Sequence, residues 1–495
     1  MTGSQKTAIQ VVNAGGHQVE VIKHIGCGKT QAEIDQLIVL GKSFIADNQP
    51  DRPLFDNFLS PVIDGNSSSL HLVAIENLDI SDYFHTLTFE TFAKWYEHCG
   101  FTPLGHELIR DLVIARLIEP TSKLQSLHLL KRYFDISHPK NRLYHAVIQA
   151  ATLKDRVEEI AYTYAKTRFP GTAALIFYDV TTLYFESFND DELRTCGFSK
   201  DNKFNQPQVV IGLVVNQFGF PLSWDVFAGN VFEGHTFIPV INRIKQKLKL
   251  DMFTVVADAA MLSEPNMQAL SDAGLHYIVG ARLKRLSLDK LTSIANHLKD
   301  QPSAVYSSAE PLGTLICDYS IKRATKDKAD MEKALKKAAV QVAHPALVTR
   351  RSKYVGLVGK QKYVLKENLI MKDKLLLGIK GYYTNLAKVD PREVVAQYHN
   401  LWQVEKSFRM AKSDLLARPI FHYQQESIRG HLVIVFMSMC IAKAMELTTQ
   451  TSLKKIKEIL WDCLDCQMID QNTGAKYIKR IKIPTDPLFK LIHLN

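Results

Sequence analysis

Long apolar runs are missing from this 495-residue sequence: the longest, 432–442, falls well short of the roughly 20 residues that span a bilayer. The N-terminus also lacks the charged-then-apolar pattern of a secretory leader. The expectation is a soluble, cytoplasmic protein with no membrane partner. Cysteines are few, odd in number and scattered (Cys27, Cys99, Cys196, Cys317, Cys440, Cys463 and Cys466), which argues against a disulfide framework and for reduced thiols. Cys463 and Cys466 form one C-x-x-C, with no second Cys/His pair at zinc spacing nearby. A complete phosphate loop is absent as well. Gly26-Cys27-Gly28-Lys29-Thr30 has Lys23 where the Walker pattern needs a glycine, so it reads as a turn before a helix.

What is present begins with enough apolar residues, 46% of the chain, for a sizeable core spread over two to four domains. The formal charge is +10, from 61 Lys and Arg against 51 Asp and Glu. Residues 284–375 alone hold 19 basic and 9 acidic residues, so this one segment carries the whole excess. A localised basic module suits a phosphate backbone better than a diffuse excess does. The alternative is a solvated, lysine-rich flap.

Along the chain, residues 1–83 read as a small α/β region: strands at 9–12 and 18–22 around Gly15-Gly16, then a helix at 30–46. From 84 to 166 apolar spacing turns helical, at 89–99, 104–117, 122–133 and 143–164, with Pro103, Pro120 and Pro139 between the segments. Short helices flanked by Lys123, Lys131, Arg132, Lys140 and Arg142 fit a helix-turn-helix DNA reader or a plain bundle. Residues 167–283 then alternate strands and helices. Strands are expected at 174–185, 208–216, 221–227, 253–258 and 276–281, the second and third joined as a hairpin at 217–220, with helices at 237–248 and 265–273. Three strands, helix, strand, helix, strand is the order of an RNase H-like core, a mixed five-stranded sheet with flanking helices.

Two of these apolar strands contain a lone acid, Asp179 in the first and Asp258 at the end of the fourth. A carboxylate embedded in an apolar strand must find a cation or hydrogen-bond donors, so its retention there needs a reason. A third acid, Glu405, lies in Gln397-Tyr398-His399-Asn400-Leu401-Trp402-Gln403-Val404-Glu405-Lys406-Ser407-Phe408-Arg409-Met410-Ala411-Lys412. At about 100° per residue, Tyr398, Glu405 and Lys412 share one helical face, with Arg409 a turn beyond Glu405. Taken alone, that is also what a surface helix with ordinary charge pairs looks like. Three carboxylates converging from rigid elements are what two-metal phosphodiester chemistry needs.

The chain resembles the DDE transposases of bacterial insertion sequences, in the IS-four-like group marked by Y-x2-R-x3-E-x6-K. Tyr398, Glu405 and Lys412 match at those spacings, while Leu401 stands at the arginine position. Similar blocks are Tyr178-Asp179-Val180-Thr181-Thr182-Leu183-Tyr184-Phe185-Glu186, Ala257-Asp258-Ala259-Ala260-Met261-Leu262-Ser263, and Arg418-Pro419-Ile420-Phe421-His422 with Ile428-Arg429. The resemblance covers roughly residues 100–450 and implies that Asp179, Asp258 and Glu405 hold two Mg²⁺ ions, with Mn²⁺ as a substitute. It implies a phosphate grip by Tyr398 and Lys412, with Arg409 to supply the contact that Leu401 lacks and Trp402 as an auxiliary candidate. It further implies double-stranded DNA as partner, both element ends with terminal inverted repeats and target DNA, and a homodimer in a synaptic complex near the nucleoid. Read from their positions alone, Glu186, near the end of the Asp179 strand, and Glu233, in a loop at 229–235 that could approach the site, compete as metal ligands, and His235 of that loop could orient substrate or simply pack.

The expected layout is therefore an N-terminal α/β region (1–83), a helical DNA-binding region (84–166), a core in two parts (167–283 and 376–450) and a basic, partly β insertion between them (284–375). A strand is expected at 375–379, where the second part of the core begins, and a helical tail at 451–495 completes the layout. The rival functions are a catalytically silent, DNA-binding repressor and an RNase H-like nuclease without strand transfer.

Overall fold

Apolar, β-branched runs build the centre of this molecule. The computed structural model describes residues 6–13, 20–48, 77–186, 189–198, 205–299, 301–344, 352–358 and 362–493. Its central sheet has eight strands, numbered here in chain order: β1 Leu175–Tyr184, β2 Gln208–Asn216, β3 Pro221–Ala228, β4 Thr254–Ala257, β5 His276–Gly280, β6 Val305–Glu310, β7 Gly313–Tyr319 and β8 Ile379–Thr384. Their order across the sheet is β3-β2-β1-β4-β5-β8-β7-β6. The first three strands form an antiparallel meander, and β4 and β5 run parallel to β1. Every residue of β2 is buried, as expected for a strand covered on both faces.

Two expectations change here. The sheet has eight strands, not five, because the basic segment contributes β6 and β7 to its far edge and β8 pairs between them and β5. A strand at 375–379 is replaced by the end of a helix, Glu367–Leu375, and a turn through Gly378 at φ 77°. The strand starts only at Ile379, where Gly381, Tyr382 and Tyr383 supply its pairing.

Alternation along β1 sends Tyr178 and Asp179 to opposite faces. Tyr178 meets the Glu233–Lys247 helix, its hydroxyl 2.6 Å from the Thr236 hydroxyl and its ring 5.4 Å from Phe237. Gly212 on β2 makes room, since a Cβ there would lie 2.5 Å from the Tyr178 oxygen. On the other face, Thr181 and Leu183 line an apolar crevice with Phe408, Val435 and Phe436, which come from the Trp402–Arg409 and Gln425–Thr449 helices. The latter helix is long and apolar enough to cross a membrane, yet 83% of its apolar window is buried inside the protein, so it serves as a core helix.

The helical region packs on this same core. Its helices are Thr86–His98, Glu107–Ile118, Lys123–Phe134, Lys140–Thr152 and Lys154–Arg168. The single helix expected over 143–164 is two, broken at Leu153, where the Thr152 hydroxyl turns back to the Gln149 carbonyl and competes with the helical ladder. The Lys140–Thr152 helix comes so close to the core helix that a Cβ on Gly430 would sit 1.7 Å from the Val147 carbonyl oxygen.

The basic segment also builds a small core of its own. Met331 and Ala338 on the Ile321–Ala343 helix pack with Tyr354, Val355 and Ile370, beside the Val355–Val358 and Lys362–Leu365 hairpin.

The chain divides into two compact units, Leu87–Trp461 with Pro484–Asn495 and Met1–Thr86 with Asp462–Ile483. In the second unit the strands Thr7–Asn13 and Glu20–Gly28 pair, and the Gln31–Asn48 helix follows. The Gly15-Gly16 turn and the start of the strand expected at 18–22 lie outside the described residues. The Gly26–Thr30 stretch ends in a capping box: the Thr30 hydroxyl accepts from Glu33 N at 3.3 Å, and the Glu33 carboxylate accepts from Lys29 N at 2.7 Å and Thr30 N at 3.3 Å. An acid of the chain itself thus takes the place an anion would need. The expected helical tail is corrected too. After the Leu453–Trp461 helix come strands Leu464–Asp470 and Lys476–Lys482, which form a three-stranded sheet with Leu78–Phe84. These short strands depend on a partner far upstream and on the buried Asp465 held by Arg480 at 2.8 and 3.2 Å, neither of which local periodicity records.

Candidate active site

The parallel pairing of β1 and β4 sets the first two acids. Tyr178 is in register with Ala257, so Asp179 on β1 and Asp258, the first residue past β4, are each one residue beyond that pair and lie side by side. Strands in a ladder are about 4.8 Å apart. Asp179 is half-buried in the strand, whereas Asp258 is exposed at the strand end and caps the turn Ala259–Met261 by accepting from Ala259 N. Arg282 holds that turn from behind, donating to the Ala259 and Ala260 carbonyls at 2.9 and 3.1 Å.

The third acid arrives on a helix that is not continuous. Asp390 caps Pro391–His399, which ends in a tightened turn where Leu401 N bonds to the Tyr398 carbonyl and Val404 N to the Leu401 carbonyl. Trp402–Arg409 follows, and Met410–Asp414 is a π-helical turn. The expectation of one face shared by Tyr398, Glu405 and Lys412 on a regular helix is therefore corrected: the turn changes bonding between the first two and the π turn rephases Lys412. Tyr398 and Glu405 nevertheless reach the same place. Lys412 instead lines the apolar crevice beside Thr181 and Leu183.

Tyr398 reports the convergence. Its side chain is buried, and its phenol is pushed far up, first by burial and then by the negative charges of Asp258, Asp179 and Glu405, with Arg323 opposing. All three acids thus act on one hydroxyl, which stays protonated and can donate. Its position depends on β5, because a Cβ on Gly280 would lie 2.5 Å from the Tyr398 oxygen. The Tyr382 ring backs it at 4.5 Å between centroids.

Lys380 on β8 is a site residue that the sequence reading missed. Its ammonium sits 4.5 Å from the centroid of the Tyr398 ring, in cation–π contact. Burial lowers its pKa and Arg323 adds to this, while Asp318, Asp258 and Glu405 act the other way. The available signal was the one that exposed the aspartates: a single charge inside an apolar strand, Ile379-Lys380-Gly381-Tyr382-Tyr383.

A cleft of about 690 Å³ opens from Asp258, Tyr398 and Lys380 toward the basic segment. Arg282, Lys284, Arg285, Arg323 and Lys353 line it together with Asp327, Asp330 and Asp373; Asp373 pairs with Lys284 and Lys353 and Asp327 with Arg323, so the lining is mixed, with an excess of cations beside the acids.

The remaining candidates fall around this centre. Trp402 and Arg409 are exposed on the glutamate helix, Trp402 at 50%, and Arg409 lies near enough to Asp414 to act on its charge. Glu233 and His235 occupy the first turn of a helix, not the loop expected there; that helix packs beside the Ala259–Met261 turn, and the His235 ring stands edge-on to Phe232 at 5.4 Å. Glu186 lies seven residues along from Asp179, roughly 23 Å at strand rise, and is exposed. None of these three bears on the Tyr398 phenol as the triad does.

Among the described residues, no three acids or histidines sit close enough to form a ready-made metal cluster. The donor chemistry still suits a hard cation: three carboxylates, all acting on one buried hydroxyl, supply the oxygen ligands that a divalent ion takes together with water and substrate oxygens.

The family described as transposase DDE domain matches residues 170–441, more than half of the chain and all three acids. Among solved structures, a piggyBac transposase synaptic complex with hairpin DNA is similar at 11% identity and a TM-score of 0.37, covering 77% of this chain and 79% of that one. No curated protein matches.

Proposed function

Since the chain belongs to the transposase DDE domain family, we propose that it is the transposase of an insertion sequence, cutting DNA at the element's ends and joining the freed 3′-hydroxyls to target DNA. What supports this reading is the register that sets Asp179 beside Asp258, with the charges of both and of Glu405 acting on the buried Tyr398 phenol beside a cleft richer in cations than in acids. The strand order β3-β2-β1-β4-β5, with acids on β1, after β4 and on a later helix, supports an RNase H-like core within the wider sheet.

Asp179, Asp258 and Glu405 would hold the divalent metal, two Mg²⁺ ions in this reading, and bound metal would activate the attacking oxygen and stabilise the leaving one. The chain's own residues position the substrate. Tyr398 donates its O–H to a phosphate oxygen, and Lys380 places a cation beside it. Lys380 thereby supplies the charge that Leu401 withholds at the arginine position of the IS-four-like signature. Arg282 fixes the turn that presents Asp258, and Arg285, Arg323 and Lys353 track the phosphate backbone along the cleft. The helices of 84–166 are the proposed readers of the terminal inverted repeats, and a homodimer would hold both ends.

The test is strand-specific cleavage of the element's own ends by the purified full chain with Mg²⁺. Asp179→Asn, Asp258→Asn and Glu405→Gln should each abolish cutting while duplex binding persists. Undiminished cutting by Glu405→Gln removes the assignment.

A further inference from the structure

A second cleft, of about 550 Å³, lies at the start of the Lys123–Phe134 helix, where the 116–125 stretch meets 416–422 and His431. None of its lining residues is acidic, and three are cations: Arg116, Lys123 and Arg418. Lys123 is 6% exposed, and its ammonium has no hydrogen-bond partner among the described residues. Arg116, 3% exposed, spends its two terminal nitrogens on the carbonyls of Leu415, Leu416 and Thr121, leaving its Nε unpartnered among the described residues.

Two buried basic groups without a counter-charge are costly, and no acid among the described residues lines the cleft to offset them; burial, with Arg116 beside it, pulls the Lys123 pKa well down, and a bound anion would restore its charge. The neighbouring imidazoles do not help. The His422 and His431 rings lie 5.5 Å apart, tilted at 48°, and burial, followed by Lys123 and Arg116, holds His422 at about 4 and His431 well below its ordinary value, so both rings stay neutral. The first turn of a 12-residue helix, capped by Ser122, adds its partial positive charge to the same space. Tyr144 and Phe421, 64% and 56% exposed, offer aromatic surface along the cleft.

We propose that this cleft is an anion site that takes a phosphate group, with Lys123, Arg116 and the helix N-terminus as its donors. The phosphate would come either from a nucleic acid backbone or from a free nucleotide, whose base the aromatic walls would accept. The site needs neither metal nor cleavage, so it stands or falls separately from the acid triad.

The experiment uses the full chain without divalent metal. Calorimetric titrations with inorganic phosphate and with AMP test the free source, and anisotropy of a labelled DNA duplex tests the backbone. Lys123→Met removes the charge while keeping an apolar stem; it should melt at a higher temperature than the wild type and lose roughly tenfold or more in affinity for the true ligand. Lys123→Arg should retain most of that affinity. Loss for phosphate and AMP identifies a free ligand, and loss for the duplex alone identifies a backbone phosphate; either supports the site. Equal affinities of wild type and Lys123→Met for all three probes overturn it. The wild-type chain gives a readout independent of folding in the variants: the true ligand should slow acylation of Lys123 by an amine reagent, and labelling unchanged by phosphate, AMP and duplex alike also overturns it.

Discussion

At the scale of single residues, the site depends on a few side chains placed where ordinary packing would not put them. Lys380 is the sharpest case, a cation in an apolar strand that reaches the ring of Tyr398 at 4.5 Å. Replacing it by Ala should lower cleavage about 10²-fold, the scale of losing one charge-stabilising donor, and Lys380→Arg should recover part of the loss. Single-turnover cleavage at saturating DNA reads this, since the effect is expected on the rate more than on binding. Gly280→Ala makes a second point: its Cβ would come 2.5 Å from the Tyr398 oxygen. That variant should fold, as judged by circular dichroism, yet cut poorly. The aspartates were legible in the sequence because an acid in an apolar strand is an anomaly. Lys380 carries the same signal with the opposite sign, but it lies outside the Y-x2-R-x3-E-x6-K spacing, where Arg409 is the nearer cation to Leu401. The sequence pattern also could not show that the π turn carries Lys412 to an apolar crevice.

At the scale of elements, close approach and buried charge hold the sheet to its helices. Gly430 lets the core helix touch the Lys140–Thr152 helix, and Gly430→Ala, whose Cβ would meet the Val147 oxygen at 1.7 Å, should cost about 1–3 kcal/mol in chemical denaturation. Glu158 ties the Lys154–Arg168 helix to β3 and to the Glu233–Lys247 helix. Its carboxylate is paired with Lys154 at 3.0 Å, Arg243 at 2.8 Å and Lys247 at 2.7 Å, and accepts from Ser223 and Trp224 N. Burial works to raise its pKa, but the Arg243 hydrogen bond and the three cations outweigh it and hold it at about 2, against 4.5 ordinarily. A depressed acid stabilises the fold fully above pH 4.5 and loses that contribution as pH falls toward 2. Glu158→Gln should therefore destabilise the protein by about 3–5 kcal/mol at neutral pH, and the gap to wild type should close on acidification through that window. Elements of strong periodicity, β1 to β5 and most helices, were readable from the chain. The 464–482 strands and the eight-stranded width of the sheet were not, because they rest on pairings between distant segments.

At the scale of the whole molecule, the +10 charge has a place. The basic segment adds two strands to the sheet edge and brings its cations to the cleft beside the acids, so charge and chemistry adjoin, as local composition had implied without giving the geometry. Removing Arg285 and Arg323 together by Ala should flatten the dependence of log affinity on log salt by roughly 2, about one for each phosphate contact, and lower affinity evenly across DNA sequences. The most direct test of the account remains the cutting reaction itself. The 495-residue chain with its own element ends and Mg²⁺, followed on strand-specific gels, should leave free 3′-hydroxyls at both ends, and Glu405→Gln should bind the same DNA without cutting it. Cutting by Glu405→Gln at the wild-type rate would contradict the central claim.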